Sequence, residues 1–362
     1  MVELASLRLT DFRCFAAAEF TLQPGINVIT GQNGSGKTSV LEAVYALLRH
    51  GSFRSNSADD QIRWGQSETT VTAELVEPTL AADHPRVIGV QRSSRGYRGR
   101  LAGEPVERRS QLVREFPMTV ITPATTTLVS GGPAERRRFL DQLMFHVEHS
   151  FVDCWRSYRA VLNQRNALLR ARRYQGLEQW TAMLVEHGER LHEYRKDAVE
   201  QLQGPLQAML EVQLKQPWQV QVDYRSGWSE VSFAQGLHDS ADLERRRMTT
   251  VRGPHRAELR FTVNGHSVAE ALSRGQQRIL ACALLLTQLQ LVNAASGRKS
   301  LVLLDDITAE LDHNNALRMV ELCASFGGQL LVTALSARPL GDALNAAAVF
   351  HVEQCSTRSQ TP

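Results

Sequence analysis

Cysteine is scarce in this chain, and so are aromatic residues. The five cysteines, Cys14, Cys154, Cys282, Cys323 and Cys355, are scattered through 362 residues, an odd number with no CxxC pair among them. That argues against both a zinc site and a disulfide framework, and points to a reducing cytosol. Phe, Trp and Tyr make up 6% of the chain, and their sparse interleaving with basic residues makes a weak case for stacking on single strands. Long apolar runs are missing too. The most apolar stretch, Ile279 to Val292, is broken by Thr287, Gln288 and Gln290, which makes it too short and too polar to span a bilayer. The start carries no basic-then-apolar secretion signal, and no repeat of 20–50 residues is visible. The formal net charge of +3 says little about partners.

What is present is a large apolar fraction, 43%, enough for about two domains. "LASLRLTDFRCF" and "AEFTLQPGINVIT" alternate with period two around Pro-Gly, as strands do. Residues 69–101 have strand character as well. From 133 to 214 glycine thins out and helical periodicity takes over, predicting three or four helices. Strand character returns at "RFTVNG", and "SLVLLDDI" and "QLLVTAL" have the unbroken apolar character of buried parallel strands. The expected architecture is α/β: a head of residues 1–116 and 257–362, split by a mostly helical insertion at 117–256.

"GQNGSGKT" matches G-x-x-x-x-G-K-[ST] in full, between an apolar strand and an amphipathic helix carrying Val40, Leu41, Val44, Leu47 and Leu48. Gly51 is the expected helix stop. In such a loop Gly31, Gln32, Asn33, Gly34, Ser35 and Gly36 curl backbone N–H groups around an anion at a helix N-terminus. Lys37 reaches the β- and γ-phosphates of ATP, and Thr38 offers its hydroxyl to Mg²⁺. Leu301 to Leu304 predict a buried strand ending at Asp305, whose carboxylate binds Mg²⁺ directly or through water. Asp306, pointing the other way along the strand, is the expected general base. An aspartate there reaches about 1.5 Å less than a glutamate, so slow hydrolysis is expected.

Two further pieces fit no kinase. "LSRGQQ" at 272–277 opens an apolar helix just before the acidic strand, and "AELD" at 309–312 follows it. This order resembles the ABC-type ATPase heads, with their signature and D-loop. The resemblance implies that Ser273, Gly275 and Gln276 bind the γ-phosphate held by the P-loop of a second copy. More specific segments are "LRLTDFRCF", "SFRS", "GGPAERRRFLDQLMFHVEHSFVDCWRSYRAVLNQRNALLR", "RGPHRAEL" and "ALSRGQQRILACALLLTQ". They span nearly the whole chain and resemble the RecF family of SMC-like DNA-repair ATPases. The expected fold class is therefore an ABC-type P-loop ATPase head with a mostly helical inserted domain. The resemblance also implies a cytosolic, weak, DNA-stimulated ATPase that dimerises on ATP. It would bind duplex DNA and single-strand/double-strand junctions and, with RecR and indirectly RecO, help load RecA.

The match has gaps. "TPATTT" has Ala124 where that family carries Glu. No glutamine loop is assignable, Gln61 being the one candidate. Thr333 stands where transporters carry a switch histidine, able only to hydrogen-bond a phosphate or a water. Arg13 resembles an arginine near the phosphates in SMC-like heads. Arginines cluster, with eight between Arg86 and Arg114 against two Glu, and "RRR" at 136–138 and 245–247. Arg49, Arg54, Arg95, Arg98, Arg100, Arg136, Arg137 and Arg246 are candidate DNA contacts as a set, although any single one is more often a solvated or paired surface residue. For His255 in "RGPHR" the sequence leaves the role open, nucleotide and DNA being the candidate neighbours. The competing readings are a monomeric small-molecule kinase and a soluble ABC-type translation or assembly factor. The signature and D-loop argue against the first, the arginines against the second.

Overall fold

Apolar alternation builds the first strands. In β1 (Glu3–Phe12) Leu7 and Leu9 are buried while Arg8 and Thr10 face water, and a bulge between Leu4 and Ser6 lets Leu4 share the inner face. The computed structural model describes residues 3–55, 57, 59–76, 86–228, 232–306, 313–336, 347–353 and 355–360. After β1 come β2 (Phe15–Thr21), β3 (Gly25–Thr30), α1 (Lys37–Arg49), β4 (Glu68–Val76), β5 (Arg86–Ser93), β6 (Gly96–Leu101), β7 (Glu104–Pro105), α2 (Arg109–Glu115) and β8 (Met118–Ile121). The middle holds α3 (Thr127–Ser130), α4 (Pro133–Val147), α5 (Phe151–Arg170), α6 (Leu177–Ala208), β9 (Val220–Arg225), α7 (Phe233–Asp239) and α8 (Ala241–Arg247). It continues with β10 (Glu258–Val263), β11 (His266–Ser267), α9 (Val268–Ala271) and α10 (Arg274–Ser296). Last are β12 (Ser300–Leu304), α11 (His313–Phe326), β13 (Gly327–Ala334), β14 (Ala348–Glu353) and β15 (Ser356–Gln360).

Two compact units result: residues 1–125 with 297–362, and residues 126–296. The first holds two six-stranded sheets. One is antiparallel, in the order β2-β1-β4-β5-β6-β7. The other runs β15-β14-β3-β13-β12-β8, parallel except for β15. The apolar face of α1 joins side chains of both sheets in one core, with Leu41, Val44 and Leu47 fully buried beside Leu9, Leu303 and Leu331. α1 is capped by His50, one residue before the expected stop at Gly51: His50 takes the left-handed conformation (φ 50°) and its N–H donates to the Ala46 carbonyl.

The second unit is mainly helical, with a three-stranded sheet β11-β10-β9. Asn264 and Gly265, both at positive φ, turn β10 back into β11. Three long helices, α4 to α6, fill the span where three or four were expected. Buried charge ties the unit together. Arg165 donates to the Glu244 carboxylate at 2.7 Å and to the Thr250 hydroxyl at 2.7 Å, with both charged side chains almost wholly buried. Arg195 forks onto Asp141 and donates to the Pro254 carbonyl.

The boundaries differ from the sequence expectation. α10 belongs with the helical unit, packing on α3, α4 and α6, and Gln288 donates to the Phe139 carbonyl there. Residues 257–296 fall in the helical unit and not, as expected, in the head, because the apolar faces of α10 find their cover among helices. At 23 residues α10 is also long and apolar enough, by length and composition, to cross a membrane. The Ile279–Val292 stretch understated this, and the helix is instead a core element of its unit. The fold also answers the open question of His255. It packs inside the same unit, with its ring bonded to the Tyr158 hydroxyl at 2.7 Å and the Thr250 carbonyl at 3.1 Å, and burial lowers its pKa to about 4. A neutral histidine with both nitrogens committed is part of the packing.

Candidate nucleotide site

Parallel pairing brings the site together. β3 and β12 both flank β13, so the loop after β3 and the carboxylate after β12 emerge at the same carboxyl edge. In the loop Gly31 (φ 150°) and Gly36 (φ 112°) adopt backbone that a side chain would obstruct. A Cβ on Gly31 would stand 2.3 Å from the Val352 carbonyl oxygen, and one on Gly36 would stand 2.8 Å from the Phe15 ring.

Lys37 folds back onto its own loop, its Nζ donating to the Gly31 and Gln32 carbonyls at 2.8 Å each. Burial pushes its pKa down, while Asp306 and Asp305 pull it up. The buried Ser35 hydroxyl has no hydrogen-bond partner among the described residues. A buried orphan hydroxyl inside a glycine cradle is what an anion-binding loop needs, so these residues fit a phosphate chain. The Thr38 hydroxyl donates to Asp305 Oδ1 at 2.9 Å, bringing together two oxygens suited to a hard divalent cation.

Asp305 is buried, which raises its pKa, against hydrogen bonds from Thr333 and Thr38 that lower it. The Thr333 hydroxyl donates to Asp305 Oδ1 at 2.7 Å and accepts from the Asp306 N–H at 2.9 Å. Thr333 is fully buried on β13. The expectation that it meets a phosphate or water is therefore replaced: it holds the acidic pair in place. Asp306 needs a related correction. β12 ends at Leu304 and Asp306 sits at φ 48°, so a left-handed turn, not strand alternation, sets its direction. Thr333→Val keeps the shape and removes the hydroxyl. We expect it to cut ATP turnover about tenfold, equivalent to about 1.4 kcal/mol, with nucleotide affinity within about threefold by titration; unchanged turnover would sink this positioning role.

Glu42, one turn into α1 and fully buried, escaped the sequence reading. Arg13 forks onto it at 2.6 and 2.8 Å, Ser52 donates to it at 2.6 Å, and Arg54 lies 3.5 Å away. Thus Arg13, expected near the phosphates, is committed to a carboxylate on the P-loop helix. Gln61 is corrected too. It is fully buried, its amide donating to the Gly51 carbonyl and accepting from the Tyr97 hydroxyl, so neither end is left for a ligand.

At the mouth of α10, Ser273 and Gln276 form a reciprocal cap: the Ser273 N–H donates to the Gln276 side chain at 2.9 Å, and the Gln276 N–H reaches the Ser273 hydroxyl at 3.4 Å. Gln277 closes the turn on the Leu272 carbonyl. Ser273 and Arg274 are exposed and Gly275 is half-buried, so the helix start is open to solvent. "AELD" at 309–312 lies outside the described residues.

The candidate DNA arginines divide. Arg54, Arg95, Arg98, Arg100 and Arg246 are exposed. Three are corrected because their guanidinium groups are engaged inside their own units. Arg49 donates to the Leu48 and Phe116 carbonyls, and burial lowers its pKa to about 10. Arg136 holds Glu258 and the Gly131 carbonyl, and Arg137 holds the Ala257 carbonyl.

The sequence matches the RecF/RecN/SMC N-terminal domain family over residues 3–358. It is 36% identical to the DNA replication and repair protein RecF of Shewanella loihica over 358 residues, covering 98% of both chains. A second RecF, from Edwardsiella ictaluri, is also 36% identical, over 97% of this chain and 98% of that protein. In structure the chain resembles the RecF-ATP form of the recombination mediator protein RecF in the RecFOR pathway, with a TM-score of 0.85, 22% identity, and coverage of 99% and 98%. It also resembles the Smc head domain of Pyrococcus furiosus, with a TM-score of 0.60, 15% identity, and coverage of 99% and 96%.

Proposed function

This chain belongs to the RecF family of ABC-type, SMC-like ATPase heads, and from that premise we propose that it is a cytoplasmic, ATP-switched DNA-binding protein of recombinational repair. The single observation that carries the nucleotide half is the glycine cradle with its orphan Ser35 hydroxyl beside the Thr38–Asp305 pair. Gly31 to Thr38 would cradle the phosphate chain of ATP, and Thr38 and Asp305 would hold a Mg²⁺ that offsets its negative charge. Lys37 then exchanges two loop carbonyls for phosphate oxygens. Asp306, with its N–H fixed by Thr333, orients the attacking water and accepts its proton.

The open start of α10 is the complement. Ser273, Gly275 and Gln276 offer a hydroxyl, N–H groups and a helix dipole to the γ-phosphate held by a second copy. ATP thereby clamps a homodimer, and slow hydrolysis by the short Asp306 resets it. DNA, as duplex and as single-strand/double-strand junctions, meets the exposed arginines such as Arg54, Arg98, Arg100 and Arg246, stimulating a weak ATPase. In the cell the clamp acts with RecR, and indirectly RecO, to help load RecA.

Light scattering tests the clamp. A dimer is expected with ATP and Mg²⁺ and a monomer with ADP or no nucleotide, because only the dimer-competent form gains from the bound ligand. A chain that stays monomeric with ATP at micromolar concentration sinks the composite site. A salt titration of duplex and junction DNA tests the other half, with affinity falling steeply as salt rises.

A further inference from the structure

A disulfide joins Cys14 to Cys355 across 341 residues of sequence, with their Cα atoms 5.7 Å apart. The cysteine spacing argued against a disulfide framework and gave no sign of this single pair, because two remote turns meet in space. One is the turn between β1 and β2, the other the turn between β14 and β15. Both press on the P-loop from outside. A Cβ on Gly36 would lie 3.0 Å from Cys14 Sγ, and the Cys355 N–H donates to the Ser35 carbonyl at 3.1 Å. Val352, in the strand leading to Cys355, abuts Gly31. Arg13, next to Cys14, grips Glu42 on the helix that the loop opens. The sulfur pair therefore staples two walls that confine Gly31 to Gly36.

We propose that Cys14 and Cys355 are a reversible thiol–disulfide site, oxidised by peroxide, that controls how far the P-loop opens to nucleotide. This rests on the nucleotide reading above. Access is selective: Cys14 is exposed and Cys355 half-buried, whereas Cys154, Cys282 and Cys323 are buried. Oxidation begins when the Cys14 thiolate attacks one peroxide oxygen, breaking the O–O bond to give a sulfenic acid and hydroxide. The Cys355 thiolate then attacks that sulfur and expels a second hydroxide. Two thiols and one hydrogen peroxide become one disulfide and two waters; the sulfurs are oxidised and the peroxide oxygens reduced. A low-molecular-weight thiol reverses the step by exchange. With the pair joined, the walls hold the loop in the form where Lys37 bonds to Gly31 and Gln32. With the pair reduced, the turns part and Lys37 is released to phosphate.

The test uses the full chain, reduced with dithiothreitol or oxidised with hydrogen peroxide, titrated with a ribose-labelled fluorescent ATP. Free thiols should fall from five to three on oxidation, and the apparent Kd should rise about tenfold as the binding-competent fraction drops to about a tenth. Cys355→Ser should bind like the reduced protein and ignore peroxide. The proposal is overturned if peroxide forms no disulfide, if oxidised and reduced chains bind alike, or if Cys355→Ser stays peroxide-sensitive. Reduced protein that binds no nucleotide overturns the nucleotide reading itself, and the switch with it.

Discussion

Ser273→Arg and Lys37→Ala chains, each monomeric alone with ATP, are expected to dimerise when mixed. In a symmetric clamp every composite site takes Lys37 from one copy and Ser273 from the other. Ser273→Arg retains its own P-loop, so it should still bind ATP, but its helix mouth carries a bulky side chain where the partner's γ-phosphate docks. Lys37→Ala keeps the mouth and loses the phosphate. Each homodimer has two defective sites. The mixed dimer has one intact site and one doubly defective site. We expect each single variant to lose at least about a hundredfold in dimer affinity, about 2.7 kcal/mol, and the mixture to recover part of it. Light scattering on the separate and mixed proteins reads this directly. Ser273→Arg dimerising like the unaltered chain would show that α10 faces no phosphate, leaving the Ser273–Gln276 pair as an ordinary helix cap.

The second large effect concerns stability. Arg165→Ala should destabilise the helical unit by about 3–5 kcal/mol, because it strands the Glu244 carboxylate in an apolar interior. Glu244 is 1% exposed, and without Arg165 its carboxylate keeps only the Val251 N–H among the described residues. The Thr181 and Thr250 hydroxyls lose their guanidinium partner too. Thermal unfolding followed by circular dichroism should show a fall on the order of 10 °C. Replacing both charges by apolar residues of similar volume should recover most of the loss, since the penalty belongs to the unpaired ion. A single-variant loss below about 1 kcal/mol would mean that water reaches Glu244.

Local chemistry was legible in the sequence, and long-range meetings were not. The P-loop announces itself because its glycines, Lys37 and Thr38 are adjacent and sit between a strand and a helix. Asp305 follows because an apolar strand ending in acid is a local pattern. Thr333, Glu42 and Cys355 are different: each acts on residues far away in the chain, and nothing in its neighbours names that partner. Arg49, Arg98 and Arg136 are the same residue type in similar basic runs. Only packing separates the two that hold carbonyls from the one that faces water. α10 misled for a physical reason. It is apolar nearly all round, so no stripe reveals which neighbours cover it.

Strand order has a consequence for how the site is born. Among the described residues β3, which launches the P-loop, pairs only with β13 and β14, and β8 pairs only with β12. All of those partners lie beyond residue 299. As the chain leaves the ribosome, the phosphate loop therefore emerges on a strand with no ladder to join, and the whole helical unit is made before one arrives. Thr38 meets Asp305 across 267 residues of chain. A ribosome-stalled fragment ending before β12 would carry the full glycine motif and have no pocket. Nucleotide capture thus waits until β12, β13 and β14 have been made.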